Sequence, residues 1–305
     1  ARIKLDAIHT PGYSRHGASR NKKSLLGWIS KGASPDEDIA EQVETLRDRS
    51  RDLFMGTPIA TGALKTVRTN VVGAGLRLNS QIDWQYLGLT EDEADAWEMN
   101  AEREFALWAE NQDCDAARMC TFGQLQSLAL LSALMSGDVF ATLPVIPRKS
   151  RVYDLRVSLI EADRVCNPTI SDQTKNIVAG VEVGKYGDPI AYHITKHHPG
   201  ARIRTAGQMN QQWQRVPAFG ARTGRRNVLH VVQDLERPGQ RRAAPMLAPV
   251  IESLKQLGRY TDAELMAAVV SGMFTVFIKS ETPQTPLGEM VGLDQQLDAS
   301  DPNSY

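Results

Sequence analysis

Three groups of side chains along the chain are of types that can do chemistry. Cys114 and Cys120 have five residues between them, outside the two-to-four gap common in zinc knuckles. They read as ordinary buried or half-buried thiols. His193, His197 and His198 in "YHITKHHP" are metal-ligand types, but a strand followed by a turn does not make the first and third of them converge. A polar cluster at a strand end is the expectation. Glu161, Asp163 and Glu182 could be assembled into a nuclease site, as could acids in nearly any chain of this size. Gly73 and Gly75 in "GAG" lack the third glycine and following helix of a dinucleotide fingerprint. Neither a G-x-x-x-x-G-K-[ST] phosphate cradle nor a G-x-S-x-G elbow occurs. The residues therefore predict no enzyme, no metal and no cofactor.

The remaining chemistry is charge. Arg222, Arg225 and Arg226 form one cluster, and Arg237, Arg241 and Arg242 form another in "RPGQRRAAPMLAPVIESLKQLGRYTDAELMAAVVSGMF", residues 237–274. Such clusters commonly face solvent or pair with nearby acids. The second is distinctive because it adjoins the longest helical pattern in the chain. Leu247, Val250, Ile251, Leu254, Leu257, Thr261, Leu265, Val269 and Val270 recur at spacings of three and four, and Glu252, Lys255, Arg259, Asp262 and Glu264 lie mostly elsewhere on the wheel. The pattern predicts a helix of roughly 26 residues, about 39 Å long.

The segment to Gly32 is basic and aperiodic and reads as an arm. Ser34 is the expected N-cap of a helix with Pro35 and acids in its first turn, interrupted at Thr57-Pro58 and resumed to about Thr69. "NVVGAGLRLNS" predicts a bent strand. Thr90 opens a helix with Trp97, Ala101, Phe105 and Trp108 on one face, and "TFGQLQSLALLSALMSGD" predicts a buried one. Residues 139–232 read mainly as strands, with "GKYGDP" as a hairpin turn. The polar stretch 198–226 reads as a long loop. A short apolar strand, "FTVFIKS", and a polar tail follow the long helix.

With 42% hydrophobic and 23% charged residues the composition is that of a folded globular chain. A formal net charge of −1 argues against a tight, salt-driven grip on DNA, which needs many phosphate-neutralising cations. Three cysteines, an odd number, read as reduced intracellular thiols. No apolar run approaches the roughly 18–20 residues of a membrane span, and no signal core opens the chain.

Five ordered blocks carry a resemblance: "LRDRSRDLFMGTPIATGALKTVRTNVVGAGLRL", "WAENQDCDAARMCTFGQLQSLALLSALMSGDVFATL", "LIEADRVCNP", "VAGVEVGKYGDPIAYHI" and "LERPGQRRAAPMLAPVIESLKQLGRYTDAEL". In order and spacing, over about Asp38 to Lys279, they resemble the lambda-type portal proteins of tailed bacteriophages. The resemblance implies an α+β portal fold with a mixed helix and strand wing, a long stem helix and a partial clip, the returning stem helix and crown being expected to be absent. It places a basic arm at 1–32, a wing at 33–240, a stem helix at 241–272 and the start of the clip with a polar tail at 273–305. A second parse gives the clip to the strand-rich part, 139–235. Ala243 follows Arg242 where family members often carry glycine.

The implied function is a ring-shaped channel at one capsid vertex, serving DNA packaging, DNA ejection and head-tail joining. The implied partners are identical copies, twelve in the virion, the terminase large subunit, a head-completion or connector protein, the major capsid or scaffold protein, and double-stranded DNA passing without sequence specificity. No membrane is implied, and the location is the virion, with host cytoplasm during assembly. Arg237, Gln240, Arg241, Arg242, Glu252, Lys255, Arg259, Asp262 and Glu264 are the candidate subunit-interface or channel residues, the arginines bonding to acids of the same or an adjacent subunit. Twelve helices at about 10 Å spacing give a radius of about 19 Å and a bore of about 28 Å, wide enough for a duplex roughly 20 Å across. Two other readings stay open: a nucleic-acid-acting enzyme such as a nuclease, and a monomeric adaptor domain.

Overall fold

Helix boundaries follow local capping chemistry. The computed structural model describes residues 22–149, 151–168, 176–201 and 212–273. Ser34 and Glu37 cap α1 (Pro35–Ala40) reciprocally: Ser34 Oγ accepts from the Glu37 amide at 3.2 Å, and Glu37 Oε2 accepts from the Ser34 amide at 3.1 Å. After a break the chain re-enters helix as α2 (Val43–Gly56). Thr57 is extended, as a residue before proline must tend to be, and Pro58 opens α3 (Pro58–Val71). The expected bent strand at 70–80 does not form. α3 runs through Val71, and the chain then turns and stays unpaired to the short α4 (Trp84–Leu87). Gly75 there has φ +119, and a Cβ on it would lie 2.8 Å from Gly123 Cα, so the glycines serve a close backbone approach and not a bulge.

A second capping box, Thr90 with Glu93, starts α5 (Glu91–Ala109). Its aromatic face is divided: Phe105 and Trp108 pack on Phe122 at 5.6 and 5.1 Å, whereas Trp97 is exposed. The expected buried helix is α6 (Phe122–Ser136), with Leu125, Ala133 and Leu134 buried but Leu128 open.

The strands form two antiparallel sheets. β1 (Asp138–Thr142) is central to the first, between β2 (Ser158–Ile160) and β7 (Val228–Val232), with Phe140 opposite Ile160 on one side and His230 on the other. The second runs β3 (Ile177–Val178), β4 (Val181–Val183), β5 (Pro189–Thr195), β6 (Trp213–Pro217). The β4–β5 hairpin turns at "GKYGDP" with Gly187 at φ +85. β6 corrects the long-loop expectation for 198–226. Its residues are mostly exposed, so no hydrophobic alternation announced it, and pairing with β5 makes the strand.

Phe140, Ile160 and Val228 of the first sheet and Val181, Tyr192 and Ile194 of the second share one core. A helical core joins Leu53, Ala60, Leu64 and Leu134 to Leu247, with Ile251 and Leu254 packed against it. Each fully buried side chain of this size contributes about 1.5–3 kcal/mol. The chain divides into two units, Ala1–Lys255 and Gln256–Tyr305.

The long helix, α7 (Ile251–Met273), begins later than the sequence pattern suggests. Pro245 and Pro249 lack amide donors, and Ala248–Val250 forms a 3₁₀ turn first. From Gln256 onward nearly every residue is exposed, including Leu257, Tyr260, Leu265, Met266, Val269 and Val270. The expected strand "FTVFIKS" and the tail lie outside the described residues, as does the arm before Lys22. No helix among the described residues is long and apolar enough to cross a membrane.

Candidate functional site

The turn before α7 is built by its own residues. Gln240 N donates to Arg237 O at 3.2 Å, Pro238 fixes φ, and Gly239 takes φ +85, the combination of a type II turn. Gln240 is buried and holds the turn closed: Oε1 accepts from the amides of Glu236 and Arg237, both at 3.2 Å, while Nε2 donates to Arg242 O at 2.9 Å. Ala243 is not at positive φ; the non-glycine residues that are, among those described, are Arg118 and Ala179.

All three arginines of this turn pair with acids of the same chain. Arg237 bonds Asp38 and the carbonyl of Ala33. Arg241 donates both backbone N and Nη1 to Asp36. The two together tie α1 to the turn. Arg242 goes inward. Its guanidinium meets Asp138 through Nε and Nη2, donates to the carbonyls of Ala162, Val165 and Ala179, and lies 5.0 Å above the Phe140 ring.

Asp138, wholly buried at the head of β1, is the centre of this arrangement. Besides Arg242 it receives Arg47 of α2 at 2.9 Å and His230 of β7 at 3.2 Å. Burial alone would raise its pKa. Arg242, the His230 hydrogen bond and Arg47 win, and hold the carboxyl far below the usual range. Burial, with the neighbouring Arg242 charge, pushes Arg47 down to about 10, so it stays protonated at neutral pH. Burial likewise lowers His230 and favours its neutral form, despite the opposing pull of Asp138. Four elements far apart in sequence are thus fixed to the turn that leads into α7.

Arg47, Asp138 and His230 escaped the sequence reading. The available signal was an acid at the junction of an apolar helix and an apolar strand, "LMSGDVFATL", where a lone charge requires a buried partner. Among the helix candidates, Lys255 Nζ lies 3.7 Å from Asp52 Oδ2 at an exposed position, and Glu252, Arg259, Asp262 and Glu264 are exposed.

The residues considered for chemistry are split. Glu161, Asp163 and His198 converge, their ligand atoms within 4.8 Å of one another, and could in principle hold a metal. Asp163 is however engaged by Arg47 and Arg51, which suits an ion-pair network better. Glu182 lies apart, receiving Arg215 at 2.7 and 3.0 Å and His193 at 3.2 Å. Cys114 is buried, its thiol pushed up to about 11 by burial and by Asp115.

The arrangement fixes the turn that leads into α7. A family model described as phage portal protein, lambda family, matches residues 21–304. The chain is similar to Portal protein B of Escherichia phage lambda, with 26% identity over 284 residues, covering 92% of this chain and 52% of that protein. It is also 26% identical over 276 residues to the Portal protein of Escherichia phage N15, covering 89% and 50%. A solved structure described as the neck of an empty GTA particle computed with C6 symmetry aligns with a TM-score of 0.43 at 14% identity, covering 92% of this chain and 60% of that one. The chain spans about half the length of the curated relatives it matches. With the family match extending over nearly its whole length, the chain belongs to the lambda family of phage portal proteins.

Proposed function

We propose that this chain is the portal subunit of a tailed phage: copies assemble into a ring at one capsid vertex, through which DNA is packaged and ejected and to which the tail is joined. The role is structural rather than catalytic. The family match across residues 21–304 carries the reading. Residues 33–240 serve as wing and 241–272 as the connection and stem, with the clip starting in 273–305; the strand-rich part at 139–235 is the alternative clip.

The physical rationale lies in α7. Water-exposed Leu257, Leu265, Met266, Val269 and Val270 gain from burial against a neighbouring copy, at about 25 cal/mol per Å² of apolar surface removed from water. Glu252, Lys255, Arg259, Asp262 and Glu264 contribute both signs of charge to the helix. Such a mixed lining lets phosphates pass, since cationic contacts repeated in every subunit would add and stall the duplex. On this reading the ring has twelve copies in the virion. It meets the terminase large subunit, a connector protein and the major capsid or scaffold protein, takes double-stranded DNA without reading its sequence, and involves no membrane.

Negative-stain imaging and native mass spectrometry test this. Ring particles with a central hole are expected, and L265D/V269D is expected to abolish them while leaving the monomer's Tm unchanged, because both side chains are exposed. Rings formed at full yield by the double variant would refute lateral packing through α7.

A further inference from the structure

A second charged site lies between α5, the loop after it, and the extended segment that leads to β2. Arg156 is the largest fully buried side chain among the described residues, at 1% exposure. Its place is fixed by backbone pairing on both sides: the amide donates to Pro144 O at 2.9 Å, and neighbouring Leu155 and Val157 bridge to Val145 and Asp115. Nη1 donates to Leu155 O at 2.9 Å, but Nε and Nη2 have no partner among the described residues. A guanidinium cannot shed its proton in a protein, so burial leaves a fixed charge in want of a counter-charge.

The surroundings do not supply one. Asp113, which lines the same cavity, is shared by three guanidinium groups, Arg148 and Arg118 at 3.1 Å from Oδ1 and Arg151 at 2.6 Å from Oδ2, and Oδ2 itself accepts no hydrogen bond. Asp115 spends its oxygens on the amides of Ala117, Met119 and Cys120, at 3.0, 3.0 and 3.2 Å. Glu104 takes the Tyr153 hydroxyl and lies 3.6 Å from Arg103 Nη2. Among the described residues no carboxylate reaches Arg156 Nε or Nη2, so its charge has no direct partner.

Arg156 and Arg151 line a cavity of about 140 Å³ with Asn111, Asp113, Tyr153 and Trp108. Leu107 and Val152, exposed at its rim, open it to solvent. At roughly 30 Å³ per water it has room for one tetrahedral oxyanion. A planar guanidinium whose Nε and Nη2 are unpartnered and shielded from bulk water suits two oxygens of such a group.

We propose that this cavity binds a phosphate group, with Arg156 as the buried anchor and Arg151 as the cation at the mouth. The site is independent of α7 and of ring formation. Its ligand chemistry is shared by free inorganic phosphate and by a nucleic-acid phosphodiester.

The test is thermal unfolding of the protein in inorganic phosphate against chloride at constant ionic strength. Phosphate about tenfold above its Kd is expected to raise Tm by roughly 3–6 °C, and R156M and R151Q are expected to lose that increment. R156M removes a buried unpaired charge and R151Q alters a half-exposed side chain, so if one variant folds poorly the other still reports. A rise equalled by chloride, or one that survives in the folded variants, would overturn the proposal. A short DNA duplex that abolishes the phosphate increment identifies the phosphodiester as the source; one that leaves it intact identifies the free oxyanion. Ring yield is scored separately by native mass spectrometry, so an absent phosphate effect with rings intact counts against this site alone.

Discussion

Replacing Asp138 by Asn would leave the shape of the hub nearly unchanged and remove its central negative charge. Two buried guanidinium groups depend on that charge, and the Asn amide would turn a donor toward at least one of them. The loss is not total. Arg242 keeps three backbone carbonyls, and Arg47 keeps Ser136 O and Asp163. Breaking a buried ion pair from one side costs about 3–5 kcal/mol, and the retained contacts place D138N near the lower end. Against a total stability of about 5–15 kcal/mol this is a large fraction. Urea unfolding should show a lower midpoint with an unchanged m-value, and Tm should fall by roughly 6–12 °C. A loss under about 1 kcal/mol would mean that the carbonyls alone satisfy the arginines, and the hub would not be electrostatic in origin.

Acidification should weaken the same hub through His230. Its folded pKa lies below the ordinary value because of burial, so the unfolded chain takes up the proton first; stability is fully present above about pH 6.5 and falls as pH drops below it. H230F should flatten the midpoint-versus-pH curve between pH 7 and 5, and an unaltered slope would assign the effect elsewhere. Asp138 contributes a further loss in the same direction only below about pH 4. G137A should be among the most damaging single changes: Gly137 sits at φ +87, and an added Cβ would lie 2.0 Å from Ala243 O. A loss above about 4 kcal/mol or failure to yield soluble protein is expected, and a well-folded variant with near-native Tm would show that the backbone can move aside.

Features of the fold that rest on neighbouring residues were legible in the sequence. Ser34 and Thr90 cap their helices, Thr57-Pro58 divides α2 from α3, and "GKYGDP" turns the β4–β5 hairpin because each signal acts over a few residues. "NVVGAGLRLNS" misled because valines favour strands only where a neighbouring strand accepts their hydrogen bonds, and here none does. β6 stayed hidden for the opposite reason, a partner strand imposing what its own residues do not suggest. The arginines of the turn could be flagged as a cluster, but their different fates could not. Arg237 and Arg241 reach acids some 200 positions earlier, and Arg242 finds Asp138 across 104 positions. Such pairings depend on tertiary closure, which no local pattern encodes.

The contact between Gly137 and Ala243 leaves no side chain between two stretches of main chain. Downstream, Met246 N donates to Leu134 O at 2.9 Å, so the following residues are pinned to the same helix end. The chain from Gln240 to Leu247 is therefore a ruler of fixed length. Inserting or deleting a residue there would break either the approach of Gly137 to Ala243 or the bond from Met246 N to Leu134 O, and so displace the entry into α7. Related sequences should hardly vary in length across these eight positions.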